Sequence, residues 1–312
     1  MPLPVLHQRS ATSDEDLVRL FLQTDRRWAE HLAEPQVLDV GSVFCNPALP
    51  ECAEANHVRD VGLPAGVSAE DAYRQVEAHF AANGARCVAW TLGAAGGESR
   101  TADSAVAVPP VSSPAESVKR DSASEGTGGT SFIRDTTEAA SLARLLESKG
   151  YRLELMEVLA LPHLPAGPLA ERGDLQIIPA RASFRHVREL FAEAEAELGR
   201  RQLGDIVEAH LDDPHLDALL AIKDGRAVGH AGIFGVGELA RLGLFYVAPA
   251  LRRQGAGRTL LSHMLEIARR ALYRHIFAGV IQSKSELASL YQSVGMRKSG
   301  EVIWAISPRP SG

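Results

Sequence analysis

The chain has 312 residues, long for one domain and comfortable for two, with 45% hydrophobic and 23% charged residues, ordinary values for a globular protein. A formal net charge of −6 argues against a general basic footprint for nucleic acid. The first fifteen residues hold no apolar signal core, and no apolar run approaches ~20 residues. The reading is a cytoplasmic protein, monomer or homodimer, with neither nucleic acid nor membrane as a partner. Cys45, Cys52 and Cys87 are too few for a disulfide framework. With His57 they fit no common zinc spacing, so no metal is expected.

Ser13 reads as an N-cap, followed by Leu17, Leu20, Phe21, Trp28 and Leu32 at helical spacing. Residues 35–47 and 56–63 read as strands. Ser68-Ala-Glu-Asp71 resembles a capping box and starts a helix carrying Ala72, Val76 and Phe80. Residues 85–92 alternate as a strand. The stretch 94–137 is rich in Gly, Ser, Pro and Thr, lacks large apolar side chains, and is expected to be a disordered insertion in the first domain. A helix over 138–149 follows, ended by Gly150, and then a strand from Tyr151 to Leu161. The first domain spans 1–170.

A second domain spans 173–308. It opens with a strand at Leu175–Arg181 and a helix capped by Ser183, with Val187, Leu190, Phe191, Ala194 and Leu198 on one face. A short helix over 205–212 precedes a hairpin, Leu216–Lys223 with Ala227–Phe234, around Asp224-Gly225. A strand then runs into Val247. Beyond it come Pro249, Arg252, Arg253, Gln254, Gly255, Ala256, Gly257 and Arg258, then an amphipathic helix over 255–272. His275–Gln282 is a strand, Glu286–Ser293 a helix stopped by Gly295, and Met296–Ile306 the last strand.

The glycines and arginines before the long helix make an anion cradle. Helix-start N–H groups have no intrahelical partner, glycine admits close approach, and arginine adds charge-assisted donors. A dinucleotide fingerprint wants a third glycine where Leu260 stands, and a nucleotide P-loop wants Lys-Ser/Thr where Arg258-Thr259 stands. The spacing Val-x-Pro-x-x-Arg-Arg-x-Gly-x-Gly instead resembles the coenzyme A pyrophosphate loop of the GNAT N-acyltransferase superfamily. The order of elements over 173–308 is similar to that fold. The first domain resembles the degenerate half of tandem GNAT proteins, through its element order, Asn56-His57-Val58 and Gly150-Tyr151. The fold class is therefore α/β (α+β), two GNAT-like domains, each a mixed central sheet flanked by helices.

The resemblance implies transfer of an acetyl or other acyl group from acetyl-CoA to a primary amine, the acceptor being a small molecule or peptide. The alternative is a non-catalytic acyl-CoA-binding or regulatory module. It assigns Phe245, Tyr246 and Val247 to the thioester carbonyl, residues 252–258 to the diphosphate, and Tyr291 to the leaving thiolate. Lys284 stands where many members carry Asn and is a candidate contact to the cofactor phosphates. Some members have a glutamate where this chain has Arg241, so the general base stays open between Glu238, His230 and solvent. Glu70 and Asp71 occupy the first domain's equivalent helix start and would repel an anion there, so no coenzyme A is expected in that half.

Overall fold

A computed structural model describes residues 12–94, 136–167, 169, 172–198 and 202–307. Most of the segment expected to be disordered, 94–137, lies outside the described residues.

Helix α1 (Asp14–Leu32) starts where Ser13 Oγ accepts the Asp16 N–H at 3.1 Å. The stretch 35–47 holds a hairpin rather than one strand, β1 (Pro35–Leu38) turning into β2 (Gly41–Phe44). The expected strand 56–63 shrinks to β3 (His57–Arg59), because Asp60 turns left-handed, φ +52°, and ends the extended run. Helix α2 (Ala69–Ala82), strand β4 (Ala89–Ala94), helix α3 (Thr136–Ser148) and strand β5 (Arg152–Leu161) complete the first half.

The second half runs β6 (Gln176–Pro179), α4 (Phe184–Leu198), α5 (Leu203–Leu211), β7 (Leu216–Lys223), β8 (Arg226–Val236) and β9 (Leu239–Val247). It closes with α6 (Ala256–Arg270), β10 (His275–Ile281), α7 (Ser285–Gln292) and β11 (Arg297–Ile306).

Among the described residues, eleven strands form one sheet in the order β1-β2-β3-β4-β11-β5-β10-β9-β8-β7-β6. The order reads alike from both ends, apart from β6. Each half contributes an antiparallel meander and one parallel pair, β3/β4 and β9/β10. Each half then gives its last strand to the other: β5 pairs with β10, and β11 pairs with β4. The exchanged strands pair antiparallel at the centre, Met156 opposite Val302. The two expected sheets are thus continuous.

Helix α1 lies over this seam. Val18 and Phe21 pack on Met156, Phe277, Val302 and Trp304. Close approach is allowed because Gly279 has no side chain: a Cβ there would stand 2.7 Å from Phe21 Cζ. Trp28 and Leu32 continue into the core of the second half, beside Phe191, Val207 and Phe234. Burying such large side chains stabilises by about 1.5–3 kcal/mol each, so α1 ties the two halves together.

Candidate functional site

Strand β9 pairs with β10 only from Leu239 to Leu242. Beyond that it bulges, for pairing with β8 steps from Gly232–Gly243 to His230–Tyr246. Leu244, at φ +51°, is the left-handed residue of the bulge. A bulge bends its strand, so β9 leaves β10 while β10 stays bound to β5 through Ile281. A wedge opens at the carboxyl ends of two parallel strands, where open α/β sheets bind ligands.

His230 secures the bend. Its Nδ1 donates to the Leu244 carbonyl at 2.8 Å. Burial lowers its pKa to about 4, so the ring is neutral, and Nε2 is buried without a hydrogen-bond partner. The nitrogen of His230 that could accept a proton is thus sealed in the core. Glu238 is exposed at the far end of β9, 3.6 Å from Arg274, and roughly 23 Å along the strand from Phe245 at about 3.3 Å per residue.

After Val247 a short turn, Pro249–Leu251, leads to the cradle. Arg253 and Gly255 are left-handed, φ +59° and +91°. Gly255 caps α6 and supplies no side-chain acceptor, so the first-turn N–H groups stay available to an anion. Arg253, Gln254 and Arg258 are exposed, and among the described residues neither arginine forms an ion pair. Ala256 is buried beneath the loop.

Arg252 is not a free cation. Its guanidinium makes two 2.6 Å bonds to Glu197 at the end of α4, its Nε donates to the Val247 carbonyl at 2.8 Å, and its charge lies 5.6 Å over the Tyr246 ring. Glu197 also accepts the Tyr246 hydroxyl at 2.9 Å, and Arg252 foremost holds its carboxyl below the ordinary value. Arg252 thus braces β9 against α4. Lys284, exposed just before α7, lies close enough to Glu197 to lower that carboxyl further. Arg172 reaches over the loop to the Gln254 carbonyl at 3.0 Å, while its own N–H donates to Thr259 Oγ1 at 2.9 Å.

Tyr291 is 1% exposed, with its ring edge-on to Phe245 at 6.0 Å between centroids. Burial raises its pKa, opposed by the charge of Arg241, so the phenol keeps its proton. Gly257 completes this corner, since a Cβ there would meet Leu290 Cδ2 at 3.3 Å and Phe245 Cε1 at 3.5 Å.

A cavity of about 200 Å³ lies on the other side of β9. Phe191, Leu203, Val207, Phe234 and the bulge residues Leu244 and Phe245 line it, with Trp28, Glu54 and Arg241. Phe245 therefore belongs to both sites. Arg241 is half-buried, its guanidinium over the Phe21 and Trp28 rings and its Nη1 2.8 Å from Asp25 Oδ1. Trp28 and Glu54 come from the first half and close the cavity of the second. Sequence reasoning missed Glu54, which lies in a loop without a motif, and it took Trp28 as helix core.

The first half's matching helix start is occupied by its own side chains. Ser68 Oγ accepts the Asp71 N–H at 3.1 Å, and Glu70 pairs with Lys149 at 3.1 Å.

Fold and site together define a mixed α/β protein of two like halves, with a bulged strand leading to a glycine helix start in the second. Residues 184–296 match the model of the acetyltransferase (GNAT) family, and that segment is a GNAT acetyltransferase domain. No curated protein matches the chain. Two solved structures resemble nearly all of it. One is a GCN5-related N-acetyltransferase from Kribbella flavida, 13% identical, covering 96% of this chain and 97% of that one, with a TM-score of 0.52. The other is a functionally unknown conserved protein from Staphylococcus epidermidis, 12% identical, covering 88% of this chain and 94% of that one, with a TM-score of 0.56. At these identities the likeness is one of fold.

Proposed function

We propose that the chain is an acetyl-CoA-dependent N-acyltransferase whose acceptor is a primary amine with an apolar body. One observation carries this reading: the open edge of β9, the uncapped start of α6 and a largely apolar cavity all meet at Phe245. The α6 amides with Arg253, Arg258 and Lys284 would hold the diphosphate of the cosubstrate. The β9 edge beyond Leu242 would present backbone N–H groups to the thioester carbonyl, and such preset donors are a large catalytic contribution.

In the transfer, the amine nitrogen bonds to the carbonyl carbon and the carbon–sulfur bond breaks. The proton leaves the nitrogen, and the sulfur departs as thiolate. Glu54 is the carboxylate in the cavity wall and is assigned to that proton. Tyr291, kept protonated by burial, is assigned to donate a hydrogen bond to the thiolate.

Two variants separate these roles. Tyr291→Phe keeps the ring packing, so kcat should fall about 100-fold, the size of a positioned donor, with acetyl-CoA affinity unchanged. Glu54→Gln should lower kcat/KM for the amine by a similar factor and leave cosubstrate binding alone. Equal single-turnover rates in wild type and either variant would remove that residue from the mechanism. The reading as a whole is tested by thiol release from acetyl-CoA over a panel of amines graded in apolar size. Turnover favouring apolar amines is expected. Tight acetyl-CoA binding without turnover of any amine would return the chain to the binding-module alternative.

A further inference from the structure

We propose a divalent transition-metal site, with zinc as its occupant, formed by His31, His210 and Asp213 where α1 of the first half meets α5 of the second. It does not depend on the acyl-transfer reading. One ligand atom from each residue lies within 4.8 Å of the other two.

His31 is already oriented as a ligand. Its Nε2 lies 2.8 Å from the Ala209 carbonyl, an acceptor only, so that nitrogen carries the hydrogen. In the neutral ring, Nδ1 then presents a lone pair to Asp213 Oδ2, 3.4 Å away. Two acceptors face each other, and a cation belongs between them. The separation exceeds a good N–H···O bond of about 2.7–3.2 Å. Two ligands about 2.0–2.2 Å from a tetrahedral ion stand roughly 3.4 Å apart. The other oxygen of Asp213 is held by the backbone N–H of His215 at 2.8 Å and by its ring Nδ1 at 2.9 Å. Outer groups of this kind fix ligand orientation in metal sites.

His210 is the second, independent observation. It is 0% exposed, stacks on Trp28 with centroids 3.4 Å apart, and has no hydrogen bond at either ring nitrogen. A buried imidazole left in that state carries its full desolvation cost. With no cation-stabilising acceptor on either nitrogen, the buried ring has both edges free to take a partner, and a neutral imidazole is the form that binds metals. A proton shared between His31 and Asp213 would reconcile those two and leave His210 unpaired. A metal ion shared by the three would give each a partner, with the ligand atoms, now within 4.8 Å of one another, drawing inward onto it. Two imidazoles and one carboxylate suit zinc better than calcium or magnesium, which prefer oxygen. The His31 side chain is 32% exposed, which leaves a path for entry and a fourth position for water. The ion would tie α1 to α5, and α5 carries Leu203, Ile206 and Val207 of the cavity wall.

The test uses the full chain, stripped with a chelator and titrated with zinc chloride against a chromophoric competitor. One zinc per chain at micromolar affinity or tighter is expected, with affinity lost at least tenfold in His31→Gln and in Asp213→Asn. His163→Gln, an exposed histidine elsewhere, should bind as wild type does. Cobalt substitution should give visible absorption bands in wild type that both ligand variants lose. His31→Gln sits on a half-exposed helix turn and keeps a donor for Ala209, so it decides the matter even if Asp213→Asn folds poorly. Equal zinc affinity in wild type and His31→Gln would overturn the site. So would wild-type binding weaker than millimolar, which would leave a proton alone between His31 and Asp213.

Discussion

Gly257→Glu is expected to remove measurable coenzyme A binding while the chain stays folded. Gly257 stands in the first turn of α6, at the corner shared by Leu290 and Phe245. The new Cβ would press Leu290 Cδ2, the end of a flexible side chain, by a few tenths of an ångström. A carboxylate at a helix start is favourable to the helix itself, so folding should survive. The same charge would sit where the diphosphate must approach and would take the free N–H groups that the ligand needs. Loss of at least 100-fold in affinity is expected, about 2.7 kcal/mol. Gly257→Ala, which adds the Cβ without the charge, should bind within a few-fold of wild type. Calorimetry on both variants, with a thermal melt as the folding control, checks this. Unchanged affinity in a folded Gly257→Glu protein would place the diphosphate elsewhere.

Asp25→Ala should produce the largest loss of stability. Asp25 is 2% exposed and lies between two guanidinium groups, that of Arg59 on β3, which is buried, and that of Arg241 on β9, which is largely covered. Burial lowers the pKa of Arg59 to about 9 and of Arg241 to about 10, the mark of charges held out of water. The group is under-satisfied even in wild type, since Arg59 Nε and NH2 have no hydrogen bond and Arg241 NH1 meets Asp25 without hydrogen-bond alignment. Removing the carboxylate leaves two like charges buried together. Breaking such a cluster costs about 3–5 kcal/mol, whereas replacing all its members by apolar residues is often neutral. Asp25→Ala should therefore unfold at much lower urea concentration. The triple variant Asp25→Leu, Arg59→Met, Arg241→Met should recover most of the loss. A cost below about 1 kcal/mol for Asp25→Ala would show that water already reaches the cluster.

That cluster joins the halves at the floor of the cavity, which gives the first half a part in the second half's site. Arg241 stands where relatives implied by the sequence resemblance carry a glutamate. Glu54 brings a carboxylate to the same cavity from the other half. The exchange of β5 and β11 holds this arrangement in register, because neither half has a complete sheet without a strand from the other.

Much of the local structure was legible in the chain. Helical spacing of apolar residues marked α1, α4 and α6, Asp224-Gly225 marked the hairpin of β7 and β8, and the Arg-Arg-x-Gly-x-Gly spacing marked the start of α6. These signals are local: periodicity reports which face is buried, and glycine reports where the backbone must turn left-handed. Gly255 does so at φ +91°. What the tertiary structure alone decided is non-local. Which strand lies beside which is set by pairing between residues far apart, and nothing in β5 or β11 distinguishes an exchanged strand from a retained one. The surroundings of Arg252, His230 and Glu238 were set by tertiary structure: Glu197 pairs with the first, the Leu244 carbonyl holds the second, and the length of β9 separates the third from Phe245. Trp28 and Glu54 reach the cavity only because α1 and the loop before β3 pack across the seam, a contact that sequence spacing does not encode.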